Sequence, residues 1–150
     1  MIKNIKPMRA RTTLAPSVRP YDYGTCYANR KWIAAAKAFL QSHPFCVLCL
    51  AYGSVNRGAE DFASDTQRNL IVDHIVPHKG DSQLFWALDT NLQTLCRTPC
   101  HDREKKAIEI HGSDWWEYVR GIMRDRGTQA FVERHSEWLP QSVRQALHCD

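Results

Sequence analysis

The sequence predicts a small α+β fold, and three observations carry that expectation. Helical periodicity marks the flanks of the chain, two short apolar runs near its middle have strand length, and two cysteine pairs frame those runs. With 150 residues and 43% hydrophobic content, the chain is long enough for one modest core. It holds no run of 18 consecutive apolar residues and no apolar leader, so the expectation is a cytoplasmic protein without a membrane partner.

The first stretch, residues 1–24, holds Pro7, Pro16, Pro20 and Gly24 among basic residues without apolar period, and reads as an extended arm. A helix is expected from Asn29 to Ser42, where Trp32, Ile33, Ala36, Phe39 and Leu40 recur at helical spacing; His43-Pro44 ends it. Residues 50–69 are polar and turn-rich, a long loop that is either functional or mobile. Leu70-Ile71-Val72 is the first strand and Asn91 to Leu95 the second. Thr98-Pro99 has the form of a helix cap followed by proline, for a helix running to His111 and stopping at Gly112. Ser113 is the expected cap of the next helix, with an apolar stripe of Trp115, Tyr118, Val119, Ile122 and Met123, closed by Gly127. Two shorter helical pieces follow, Thr128 to Leu139 and Pro140 to Leu147. The division is thus an arm over 1–24, a central domain over 25–112 and a helical C-terminal extension over 113–150.

Charge is distributed unevenly. Residues 1–40 carry eight Lys or Arg against Asp22 alone, whereas residues 41–100 and 101–150 are slightly acidic. Such an arm, with Lys3, Lys6, Arg9, Arg11 and Arg19, suits a polyanion, because each neutralised phosphate releases condensed counterions. A solvated leader has the same composition.

Cys46-Val47-Leu48-Cys49 puts two thiols on one turn, and Cys96-Arg97-Thr98-Pro99-Cys100 supplies a second pair. Four thiolates around a tetrahedral ion make a structural zinc site, whose binding free energy becomes folding free energy. Cys26 and Cys149 stand outside this frame.

Between the pairs lie Leu70-Ile71-Val72-Asp73-His74-Ile75-Val76-Pro77-His78 and Asp89-Thr90-Asn91-Leu92-Gln93-Thr94-Leu95, with Cys100-His101-Asp102 directly after. Phosphodiester hydrolysis needs a deprotonated water and neutralisation of charge on the phosphoryl and leaving oxygens. His74 suits the base, since histidine titrates near neutrality. Asp73 and His101 suit a divalent cation with open positions for phosphate and water. Asp73 is expected to face solvent, so that its loss would cost catalysis and not folding. Neighbours on a regular strand point to opposite faces, so Asp73 and His74 share a site only from different directions or across a bend.

This order of residues resembles the HNH endonuclease motif: Asp-His on a strand, an Asn in a loop, and Cys-His opening a helix. The run from Val72 to Asp81, Leu84-Phe85-Trp86 and Asn91 to His101 is similar to phage-type members, and the resemblance covers roughly residues 25–106. It implies a ββα-metal (His-Me finger) core, a two-stranded ribbon on the helix that carries His101. It also implies His74 as base, Asp73 and His101 as ligands of a catalytic divalent cation (Mg2+ or Mn2+, with Ni2+ or Zn2+ as alternatives), and Asn91 orienting the His74 loop. Cys46, Cys49, Cys96 and Cys100 would hold the structural zinc. DNA is the implied substrate, and phage terminase or another packaging protein the implied partner.

His78, Arg103, Lys105 and Lys106 are weaker candidates for phosphate contact. The family places a Lys three residues after the last His, where this chain has Glu104. Trp86 and the Trp115-Trp116 pair read as core. The long 50–69 loop and the 113–150 extension depart from the short phage-type pattern; the extension is open to covering the core, binding a partner or dimerising. The rival function is a zinc-ribbon adaptor that binds nucleic acid or protein without catalysis. An HNH effector released from a polyprotein is a third reading.

Overall fold

A computed structural model describes residues 23–56 and 69–149. The arm up to residue 22, residues 57–68 of the long loop and Asp150 lie outside the described residues. Helix α1 spans Tyr23–Tyr27, so helix already begins within the stretch expected to be extended. Asn29 then caps α2, Arg30–Ser42, its side chain accepting from the Lys31 N–H at 2.8 Å. His43-Pro44 separates α2 from the short α3, Val47–Ala51.

The stretch Arg30–Ala51, 22 residues, has the length of a membrane span, and a window of 18 residues within it reaches a mean hydropathy of 1.4, by composition alone. The break at His43–Cys46 and the complete burial of Val47 to Ala51 tie its apolar character to the interior.

Strand β1, Leu70–His74, runs two residues further than its apolar run, and pairs antiparallel with β2, Leu92–Cys96. The register sets Asp73 opposite Gln93 and His74 opposite Leu92. Between the strands lies the four-residue helix α4, Ser82–Phe85, capped by Asp81. After β2 the chain enters a wide, π-type coil, Arg97–Lys105, continued by α5, Lys106–His111. Thr98 in it has extended dihedrals (φ −128°, ψ 131°), and its hydroxyl engages Asp102 at 3.4 Å instead of capping a backbone N–H.

Gly112 ends α5 in the left-handed conformation at φ 66°, which costs a residue without Cβ least. The next helix, α6 at Trp115–Arg126, is capped by Asp114 through the Glu117 N–H at 2.7 Å; Ser113 is one residue too early. Helix α7, Gln129–Arg134, a single 3-10 turn at Ser136–Trp138 and α8, Gln141–Ala146, complete the described chain.

Alternation along the strands sends their side chains to two different cores. Val72 and Leu92 join Trp32 and Phe85 beneath α2. Ile71 and Leu95 join the larger core with α3, the four cysteines and the C-terminal Val119, Met123, Val132, Leu139, Val143 and Leu147. The extension therefore covers the hairpin and shares its core. Thr128 Oγ1 donates to the Ala51 carbonyl at 2.6 Å, and Tyr52 and Tyr118 both donate to Glu104 Oε2, at 2.7 and 2.9 Å.

Candidate functional site

The four cysteines meet as the spacing predicts. Cys46, Cys49, Cys96 and Cys100 are fully buried, and their sulfurs lie within 4.8 Å of one another. Cys49 Sγ stands 3.6 Å from both Cys96 Sγ and Cys100 Sγ. With zinc–sulfur bonds of about 2.3 Å, a tetrahedron has edges of about 3.8 Å, so the cluster could hold a structural zinc. Burial pushes the Cys46 thiol well above its ordinary value, so thiolate there needs a cation beside it.

Asp73 and His74, adjacent on β1, face opposite ways. Asp73 turns toward the π-type coil and is only 9% exposed. Its Oδ1 lies 3.5 Å from His101 Nε2, and its Oδ2 accepts from the Gln93 amide at 2.9 Å. The expectation of a solvent-facing Asp73 is therefore corrected: register puts it against a buried cross-strand partner. His101 Nδ1 donates to Asp102 Oδ1 at 2.7 Å, which turns Nε2 toward Asp73. A carboxylate oxygen facing a ring nitrogen is joined either by a proton between them or by a shared cation. Adjacent ligands of an octahedral ion at about 2.1 Å are about 3 Å apart, about half an ångström less than the 3.5 Å separation here.

Lys105 is 1% exposed, with Nζ 3.4 Å from Asp73 Oδ2, 3.3 Å from the His74 carbonyl and bonded to Glu109. Burial separates it from its companions in the sequence reading: Arg103 and Lys106 are exposed, and Lys105 is part of the Asp73 cluster. His101, Lys105 and Glu109 stand four residues apart, the spacing of one helical face. A cleft of about 490 Å³ is lined by Lys105 and Glu109, and by Val76, Lys79 and Trp116, but not by Asp73 or His101.

His74 turns to the other face and is 4% exposed. Its ring stacks on Trp32, with centroids 5.1 Å apart and planes at 17°. Nε2 donates to the Phe85 carbonyl at 3.1 Å, so Nδ1 carries the lone pair. Tyr27 Oη lies 3.4 Å from that Nδ1 and 3.1 Å from His78 Nε2, while the Gly80 N–H donates to His78 Nδ1. One direction satisfies each of these bonds: Gly80 to His78, His78 to Tyr27, Tyr27 to His74, His74 to Phe85. Burial above all holds His74 below its ordinary value of 6.5, with the Phe85 carbonyl acting the other way. His78 is likewise buried, at 4% exposure.

Asn91 fastens the segment between the strands. Its Oδ1 accepts from the Val76 N–H at 2.8 Å, and its Nδ2 donates to the Val76 and Leu84 carbonyls at 3.0 and 3.1 Å. Together with the Asp81 cap of α4, this fixes where the Phe85 carbonyl meets His74.

Sequence reasoning missed Tyr27, Gln93, Glu109 and Trp115. Gln93 carried a signal, a polar residue in the middle of an apolar strand. Tyr27 carried none, since its role depends on how α1 packs. Trp86, expected in the core, is 39% exposed. No protein-family model, curated protein or solved structure matches the chain.

Proposed function

We propose that the protein is a metal-dependent endonuclease or nickase that hydrolyses DNA phosphodiester bonds on a ββα-metal core, with a structural zinc on Cys46, Cys49, Cys96 and Cys100. The observation that carries this reading is the facing pair Asp73 Oδ1 and His101 Nε2, 3.5 Å apart at the end of a strand whose next residue is a neutral, oriented histidine.

A divalent cation held by Asp73 and His101 would neutralise charge on the phosphate and the leaving oxygen. His74 Nδ1 takes the proton of the attacking water, and its Nε2 bond to Phe85 keeps the ring aimed while it does so. Asn91 holds the loop that presents Phe85, and so acts through position. On this reading the base and the cation ligands would approach the phosphate from the two faces of one strand end. Exposed Arg103 and Lys106, with the basic arm, supply phosphate contacts along the DNA. A phage DNA-packaging complex is the setting that the motif suggests.

One observation favours the non-catalytic zinc-ribbon adaptor. Tyr27, Trp32 and Phe85 enclose His74, and a water reaches Nδ1 only if the Tyr27 hydroxyl yields its place. Plasmid cleavage across Mg2+, Mn2+, Ni2+ and Zn2+ decides between the two. The expected result is metal-dependent nicking or linearisation, lowered about 10²–10⁴-fold by His74→Ala while DNA binding persists. DNA binding without cutting under every ion would leave the adaptor standing.

A further inference from the structure

The cation pair is wired to the C-terminal extension. Trp115, the first residue of α6, is 7% exposed, and its indole N–H donates to Gln93 Oε1 at 3.0 Å. An indole nitrogen is a donor only, so this bond fixes which end of the Gln93 amide points where. The amide nitrogen is thereby turned to Asp73 Oδ2 at 2.9 Å. Gln93 is fully buried and has no water to compensate a flipped amide. Lys105 Nζ approaches the same Oδ2 at 3.4 Å, and it lies over the Trp115 ring, 5.5 Å from the centroid. Trp115 therefore braces both donors to Oδ2. Oδ1 alone is left toward His101.

We infer that Trp115 and Gln93 are positioning residues that hold Asp73 as a one-oxygen ligand, and so bias the site toward small octahedral dications and against Ca2+. The inference rests on the reading of Asp73 and His101 as cation ligands. Ca2+ takes 6–8 ligands and accepts carboxylates through both oxygens, whereas Mg2+-sized ions take six at shorter distance. An Oδ2 engaged by an amide and an ammonium removes the two-oxygen mode. His101 already disfavours Ca2+ by offering nitrogen; the Trp115–Gln93 chain adds the share that its removal would erase.

The test measures binding on the full-length, zinc-loaded chain, with Mn2+ and Ca2+ titrated by calorimetry and Mn2+ followed by electron paramagnetic resonance. Wild type is expected to bind one Mn2+ beyond its zinc, at least about tenfold tighter than Ca2+. Trp115→Phe keeps a ring in the core but deletes the N–H; Gln93→Met keeps the length but deletes the donor. Both are expected to weaken Mn2+ about 10–100-fold, the range for orienting partners of metal ligands, and to bring the Mn2+ and Ca2+ affinities closer together. A change in the Mn2+ signal is expected alongside, which packing loss elsewhere would not produce. Unchanged affinities and an unchanged ratio in either folded variant overturn the inference, as does a wild type that binds Ca2+ as tightly as Mn2+. A wild type that takes up no ion beyond zinc overturns the nuclease reading itself, and so the two failures are distinguishable.

Discussion

At the scale of single residues, burial changes what Asp73 and His74 can do. A histidine expected to titrate near 6.5 is instead held neutral by the rings around it, so its folded value is depressed. If His74 is the base, it must be neutral to act, and the cleavage rate falls as pH drops through its pKa. The acid limb of the rate profile is thus expected below pH 6.5, and pH–rate measurements check it. A limb at or above 6.5 would mean another group is titrating. The same shift ties stability to pH. The unfolded chain takes up the His74 proton first, so this share of stability is present above about 6.5 and is lost as pH falls toward the folded pKa. Asp73 changes in a different way. It is the partner of a lysine that is 1% exposed, so Asp73→Ala is expected to cost stability as well as activity. Glu109 stays bonded to Lys105 and limits the loss to about 1–3 kcal/mol, which urea melts would read. An Asp73→Ala chain as stable as wild type would show that the lysine finds water.

At the scale of elements, α2 and α6 were legible because each carries an apolar stripe, and the ends of α5 and α6 because Gly112 and Gly127 both adopt the left-handed conformation; α1, α3 and α4, each of five residues or fewer, are too short to show a period and were not. The shift of the cap from Ser113 to Asp114 was not legible, since adjacent residues of equal capping strength differ only in where the chain turns. The wide coil after β2 was also hidden. Two cysteines separated by three residues must both reach one cluster, and extended Thr98 takes up the extra length. For the candidate site, the Asp73-His74-Asn91-His101 order was legible, whereas the burial of Lys105 depends on the face that the coil before α5 turns to the hairpin. Nor did the sequence place the extension, because an apolar stripe says that a helix is covered but not by what. Here α6, α7 and α8 close over α3 and the cysteine cluster. Leu139, 2% exposed, is therefore expected to matter to the central domain although it lies far along the chain. Leu139→Ala should cost about 2–5 kcal/mol in denaturant melts, with one cooperative transition for hairpin and extension together. Two separate transitions would make the extension an independent domain.

At the scale of the whole molecule, the hairpin divides the work. One end of β2 brings Cys96 to the cysteine cluster, and the far end of β1 carries Asp73, which faces His101. The two sets differ in everything that governs ion retention. The sulfurs are fully buried and come together from two segments of the chain, whereas the His101 side chain is 25% exposed and its pair with Asp73 would supply only two ligands. A closed site of four thiolates retains zinc by about 10–16 kcal/mol in small domains, while a two-ligand site completes its coordination with water and releases its ion readily. Mild chelation of the full chain is therefore expected to leave about one zinc per molecule by elemental analysis and, if the protein is the proposed nuclease, to remove its cleavage without a change in fold. Cys46→Ser should do the reverse. It breaks a cluster that joins α3 to the turn after β2, so cooperative melting is lost or falls well below that of Asp73→Ala. Circular dichroism melts of the two variants, each with its zinc content measured, compare them directly. If chelation strips all metal and the fold persists, or if Cys46→Ser melts as wild type does, then the cysteines are ordinary core thiols, and the stability of the hairpin comes from the apolar contacts of the extension instead.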